Sequence, residues 1–276
     1  MRLFDYLQQQ GHGPQARMLL SSGKVYYKSL PTADGLRDVE TEHVEVRPHA
    51  PRIQIGKAPV LLHQDNYLMV AFKPAHMLPV TLPGRHEISL VASMQRKMGT
   101  ILPVNMLDER VSGLMVVATA KGVQQDLKDQ IANKTATVSY EALISGALPE
   151  PEVTVSNALV PNRGDGLSGA GTGPGAVPAI THLKMVEDLG RYSVVSAVPE
   201  THQPAQVRIH LAELDVPIVG DPDYAPGRLG RALPRIALNA CGLVFTHPHS
   251  GKVMRFSVPL PDDLDKAART MKTGRF

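Results

Sequence analysis

The sequence predicts an α+β protein with a small front module and a larger domain that holds both strands and helices. Three observations lead there. Apolar residues come in short blocks closed by turn residues, as in Leu114 to Ala118 after Ser112-Gly113, and such blocks read as buried strands. Other segments repeat apolar residues at helical spacing, namely Ile88, Val91, Met94 and Met98, then Val123, Leu127 and Ile131. Between the two parts, Pro48 to Pro59 holds three prolines and little periodicity, which marks a linker. A chain of 276 residues with 43% hydrophobic content can bury one large core and one small one.

Taken in order, Leu3, Tyr6 and Leu7 share a helical face that ends where Gly11 to Pro14 breaks it. A second short helix through Ala16 to Leu20 stops at Ser22-Gly23. Lys24 to Lys28 and Val39 to Val46 read as short strands. Beyond the linker, Leu61 to Phe72 reads as two strands around Asp65-Asn66, with Lys73-Pro74 ending the second and Lys73 expected in solvent. Thr135 to Ser145 alternates and puts Val138, Tyr140, Ala142 and Ile144 on one strand face. The glycine-rich stretch Pro161 to Pro178 lacks the spacing of a phosphate loop and is expected to be a mobile surface loop. Tyr192 to Val198 is a strand. Gln206 to Leu214 is a helix with Val207, Leu211 and Leu214 toward the core and Arg208 on its flank, facing either solvent or a cleft. Pro217 to Pro222 is an apolar run ended by a turn. Leu238 to Thr246 and Met254 to Val258 make a closing strand pair around a solvated His247-Pro248-His249 tip, and the basic tail is expected to fray. The expected boundaries are residues 1–49, a linker at 50–58, a main domain at 59–262 and a tail at 263–276.

Composition narrows the function classes. The net charge of +3 permits a polyanionic partner without requiring one. The single cysteine, Cys241, rules out an internal disulfide and a CxxC site, suits a reducing cytoplasm, and sits in an apolar run as a small hydrophobe. The start of the chain carries no apolar signal segment, and no run reaches the ~18 residues of a membrane span. His247 and His249 lack partners at ligand spacing, so no metal is expected.

The stretch Asn105 to Gly113 organises the rest. Asp108 stands just before a buried strand, where a rigid element can hold a reactive group. Two roles are open to it: a reactive carboxylate, or a turn residue capping backbone amides.

Several segments fall into one order: Leu62 to Pro74 with its Lys-Pro-Ala turn, Leu107-Asp108-x-x-x-Ser112-Gly113, Tyr140 to Gly146, Ala179-Ile180-Thr181, Gln206 to Leu211, and Pro217 to Tyr224. This series resembles the RluA-type pseudouridine synthases over about residues 58–262. The Arg-Leu start and Gly-Lys-Val turn of residues 1–49 resemble an S4-type RNA-binding module. The resemblance implies a mainly antiparallel mixed sheet with flanking helices around a central cleft. It also implies a cofactor-free isomerisation in which uracil leaves the ribose through nitrogen and rejoins through carbon. Asp108, Tyr140 and Arg208 match the family's catalytic positions. On that reading Asp108 acts as nucleophile or base and Arg208 keeps it ionised, an attraction of about 4 kcal/mol at ~4 Å and an effective dielectric of ~20. Tyr140 stacks on the extruded base, recovering roughly 1–3 kcal/mol, and its hydroxyl helps remove the carbon-bound proton.

The expected RNA contacts are Arg17, Lys24, Lys28, Lys73 and Arg110. Ribosomal RNA of the large subunit is favoured over transfer RNA, and a monomer is expected. The chain departs from the family pattern at Asn105-Met106, Val111, Val138, Thr201 to Ala205 and Asn239. Most of these changes remove a positive or polar group, which weakens phosphate binding. They motivate two alternatives: a non-catalytic RNA- or ribosome-binding protein on the same scaffold, and a small-molecule enzyme that reuses the cleft.

Overall fold

In a computed structural model, the structure describes residues 1–12, 15, 16, 19, 25–27, 30, 31, 39–46, 59–84, 88–274 and 276. The first part holds helix α1 (Leu3–Leu7) and strands β1 (Val25–Tyr27), β2 (Leu30–Pro31) and β3 (Val44–Val46). The strands form a separate sheet in the order β2-β1-β3. Leu3, Leu7, Ala16, Leu19, Val25 and Val39 make its own apolar cluster. Gly11, at φ 81°, ends the helical run as the sequence suggested.

The main domain continues with β4 (Val60–Gln64), β5 (Leu68–Lys73), α2 (Leu90–Met98), β6 (Leu102–Pro103), β7 (Ser112–Ala118), α3 (Lys121–Ala132), β8 (Thr137–Ser145) and β9 (Glu152–Val160). It is completed by β10 (Gly169–Ala170), β11 (Val177–Asp188), β12 (Tyr192–Pro199), α4 (Gln206–Glu213), β13 (Leu238–Thr246), β14 (Val253–Ser257) and α5 (Asp262–Lys272). One sheet of 11 strands runs β10-β9-β11-β12-β8-β13-β7-β5-β4, with β14 on β13 and β6 on β7. Every pair is antiparallel except β13 with β7. This is the α+β class, mixed and mainly antiparallel, that the sequence predicts.

The apolar blocks explain the order. All residues of β5 and β7 are buried, so these strands have both faces covered and lie inside the sheet. Two glycines let backbones meet. At Gly113 (φ 134°) a Cβ would lie 2.4 Å from the Ala240 nitrogen, so only glycine lets β7 cross β13 this closely. At Gly220 (φ 78°) a Cβ would lie 2.1 Å from the Arg235 carbonyl oxygen. Helix α2 has a Ser89 cap, whose hydroxyl accepts from the Ala92 amide, and it stops at Gly99.

Four expectations about burial or local order change, while the glycine-rich stretch stays at the surface as expected. Helix α4 is buried throughout Gln206 to Leu211 instead of along one stripe. Leu159 of β9, Ala179 of β11, Ala170 of β10 and Tyr224 cover the side that carries Ile209. The glycine-rich segment is organised: Asn162 accepts from the amides of Gly164 and Gly166, β10 pairs with β9, and the Tyr224 hydroxyl donates to the Ser168 carbonyl. His247 is buried, and its Nε2–H donates a hydrogen bond to Asp65 Oδ2 at 3.0 Å. The basic tail forms α5, with Leu264, Ala267 and Met271 packed on the core. The proline-rich linker lies largely outside the described residues. Among the described residues, no helix is long and apolar enough to cross a membrane.

Candidate functional site

Asp108 ends the loop before β7, and the loop is pinned from behind. The Glu109 carbonyl accepts from the His76 amide at 2.7 Å and from Lys73 Nζ at 3.2 Å. Lys73 Nζ also donates to the carbonyls of Pro74 (3.0 Å) and Met77 (2.8 Å). Lys73 is fully buried, which corrects the expectation of a solvated lysine that meets RNA. Its position at the inner end of β5 leaves the ammonium facing backbone carbonyls. Burial, helped by the charge of Arg235, pushes Lys73 down to about 7, with Asp108 and Glu109 pulling the other way. An ammonium serves all three carbonyls, so deprotonation leaves the cluster one donor short.

Asn105 fixes the same stretch from the other side. Its amide nitrogen donates to the Leu114 carbonyl at 3.0 Å, and its oxygen accepts from the Val116 amide at 2.8 Å. The position that differs from the family pattern is thus a strand clamp, 8% exposed. Val111 and Val138, two further departures, are core residues.

Arg208 reaches Asp108 from a helix 100 residues later, with Nη1 donating to Asp108 Oδ2 at 2.9 Å. The rest of the guanidinium is gripped by residues that sequence reasoning missed. Asp221, fully buried, accepts from Nε and Nη2 at 2.7 Å each, and Asp223 accepts from Nη2 at 2.6 Å. Four donors are therefore engaged, leaving a single Nη1 hydrogen. Burial alone would lower Arg208. Hydrogen bonding and charge from Asp221, with Asp108 and Asp223, more than offset that and raise it, so the cation is permanent. The Tyr224 ring covers the guanidinium at 4.8 Å. The signal in the sequence was Gly220-Asp221-Pro222-Asp223-Tyr224: a turn rich in carboxylates beside an arginine helix.

Tyr140 lies on β8, opposite Ala240 of β13 and Ala197 of β12. These small neighbours leave room for its ring at the cleft wall. Burial, then the negative charge of Asp108, pushes the phenol above its ordinary range, so it stays protonated at neutral pH.

Asp108, Tyr140 and Arg208 line one cleft of about 550 Å³, the volume of a nucleoside-sized pocket. Its walls are mostly apolar, including Val80, Leu107, Ile131, Pro204 and Leu238, with Lys128 of α3 at one side. Asp108 is 42% exposed there, while Arg208 is 7% exposed. Such an arrangement sets a carboxylate bonded to a guanidinium beside apolar walls and offers an aromatic face to a planar ring. Arg110 is exposed next to the site. Arg17, Lys24 and Lys28 lie outside the described residues. No group of His, Cys, Asp and Glu suited to a metal ion occurs among the described residues.

Residues 67–213 match the family described as RNA pseudouridylate synthase. The ribosomal large subunit pseudouridine synthase D of Neisseria meningitidis is 30% identical over 82% of this chain, which spans 65% of that relative's length. The dual-specificity RNA pseudouridine synthase RluA of Salmonella typhi is 34% identical over 72% of this chain and 92% of its own. Human RNA pseudouridylate synthase domain containing 1 shares the fold, with a TM-score of 0.61 at 22% identity over 78% of this chain and 95% of that one. The matched residues carry the aspartate loop, the tyrosine strand and the arginine helix that close on one cleft, and the chain belongs to the RNA pseudouridylate synthase family.

Proposed function

We propose that the protein isomerises uridine to pseudouridine in structured RNA, with Asp108 acting on the nucleoside and no cofactor taking part. The observation that carries this reading is the 2.9 Å contact between Arg208 and an otherwise little-engaged Asp108 inside a nucleoside-sized cleft. Two routes are open to an ionised carboxylate: addition to the ribose C1′ or removal of a proton from the sugar. In either, the N1–C1′ bond breaks, the base turns, a C5–C1′ bond forms, and the proton on C5 is lost while N1 gains one. Tyr140 supplies a stacking face for a uridine that leaves its helix at a cost of a few kcal/mol. Its hydroxyl takes up the C5 proton as it releases its own to the Asp108 carboxylate, which is free again once the C5–C1′ bond has formed.

Large-subunit ribosomal RNA is the proposed substrate, supported by the named activity of the Neisseria relative and by an S4-like reading of residues 1–49. Arg17, Lys24, Lys28 and Arg110 are the proposed contacts to its backbone. The protein is proposed to act as a cytoplasmic monomer.

Pseudouridine mapping of cellular RNA tests the reading, comparing cells that have the protein, lack it, or carry Asp108→Asn. A uridine that loses its modification in both altered strains is the expected result. If no position changes and Asp108→Asn restores every phenotype of the deletion, catalysis is excluded, and salt-dependent RNA binding would then favour a non-catalytic RNA-binding role.

A further inference from the structure

An RNA strand entering this cleft meets an unfavourable charge at its centre. Three carboxylates, Asp108, Asp221 and Asp223, surround one guanidinium, leaving two negative charges in excess. Glu109 lines the cleft as well. Arg208 has one N–H left, so it cannot neutralise a phosphate. Lys73, the other nearby lysine, is sealed behind the loop. Beyond Arg110 at the rim, attraction for a polyanion has to come from the walls of the cleft.

Lys128 meets that need. Helix α3 turns Leu127 into the core and presents Lys128 and, three residues on, Ile131 to the cleft. Lys128 is exposed, and among the described residues no carboxylate is bonded to its ammonium. The carboxylates flanking it are occupied: Asp126 accepts from Gln130 at 2.6 Å and Asp129 from Gln125 at 2.8 Å. Among the described exposed lysines, Lys184 and Lys272 pair with Glu152 and Glu187 while Lys121, Lys252 and Lys266 show no ion pair, so what sets Lys128 apart is its place on the cleft wall. With no ion pair of its own and its ammonium in solvent, Lys128 adds little to the stability of the fold. It gives an RNA strand a place to set a phosphate while its base reaches Asp108.

We propose that Lys128 binds a backbone phosphate of the RNA next to the target nucleotide and so sets affinity rather than the rate of the chemical step. This rests on the reading of the cleft as an RNA site. One phosphate contact releases about 0.7–0.9 counterions, which at 0.1 M salt amounts to about a five- to eight-fold effect on binding.

The test uses full-length protein and a transcript of large-subunit ribosomal RNA, with binding followed from 0.05 to 1 M salt and pseudouridine formation followed under steady-state conditions. For Lys128→Ala, Kd and KM at 0.1 M salt rise about five- to eight-fold, the salt slope falls by about 0.7–0.9, and the loss fades at 1 M. The kcat stays within about two-fold, Lys128→Arg restores affinity, and Lys184→Ala changes neither constant. An unchanged salt slope and KM in Lys128→Ala overturns the proposal, as does a loss that persists undiminished at 1 M salt or falls on kcat alone. Wild-type protein that binds the transcript without isomerising it removes the enzymatic reading but leaves the binding arm decisive for Lys128. Wild-type protein with no salt-dependent affinity overturns both.

Discussion

Two aspartates at turns, Asp65 and Asp108, contrast a structural carboxylate with the one proposed to be reactive in the same sheet. Asp65 connects β4 to β5. Its Oδ1 accepts from the amides of Tyr67 (2.7 Å) and Leu68 (2.9 Å), and its Oδ2 accepts from His63 (2.7 Å) and His247 (3.0 Å). His247 Nδ1 in turn accepts from the amides of His249 and Ser250, which puts its proton on Nε2. Although burial works against it, hydrogen bonds from His63, Tyr67, Leu68 and His247 hold the Asp65 carboxyl well below the usual carboxylate range. Asp108 is placed alike in the sequence, but its side chain receives a single charged hydrogen bond and caps no amide among the described residues. One carboxylate has spent its acceptor capacity on the fold. The other keeps an oxygen for a substrate, and the cation that steadies it is anchored elsewhere, by Asp221.

The contrast can be broken in four ways, the largest first. Asp108→Asn should lower pseudouridine formation at least about 10³-fold, roughly 4 kcal/mol of barrier, with a melting temperature close to that of the parent. A large loss of stability would put Asp108 in the same class as Asp65. Arg208→Gln should cost about 3 kcal/mol in a urea titration, because the buried Asp221 loses its one charged partner among the described residues. Asp108→Asn in that background should add almost nothing further to the loss of activity.

Asp65→Ala has the opposite signature. It should cost about 2 kcal/mol of stability through lost caps and an unpaired His247, while kcat per folded molecule stays the same. Altered kcat with unaltered stability would reverse the assignment. The smallest effect is in pH. The folded-state value of Asp65 lies below its unfolded value of 3.8, so its stabilising contribution is complete above that value and is lost as pH falls through the depressed one. Wild type and Asp65→Asn should therefore converge in stability as acid titration proceeds below pH 3.8, and parallel curves there would contradict the clip.

Much of this was legible beforehand. Apolar blocks located β5 and β7, alternation located β8, and helical spacing located α2 and α3, because periodicity follows directly from which face is buried. Asp108, Tyr140 and Arg208 were found as a set, although nothing in the spacing of Arg208 decided between solvent and cleft. Lys73 was misjudged for a related reason. A lysine before proline reads as a turn residue, and only the packing of three carbonyls around its ammonium makes it interior. His247 of the β13–β14 hairpin reads as solvated because its partner Asp65 is 182 residues away, whereas His249 is exposed as the sequence suggests.

By itself the sequence determined the α+β class, the strand and helix periods, the buried strand behind Asp108 and the three side chains of the proposed chemistry. Tertiary structure alone decided which carboxylate stays available, that Arg208 is held by Asp221 and Asp223, that Lys73 is interior, and that Lys128 faces the cleft. Local preference depends on neighbours in the chain, which the sequence displays. Ionisation and accessibility depend on neighbours in space, and folding brings those together from opposite ends of the domain.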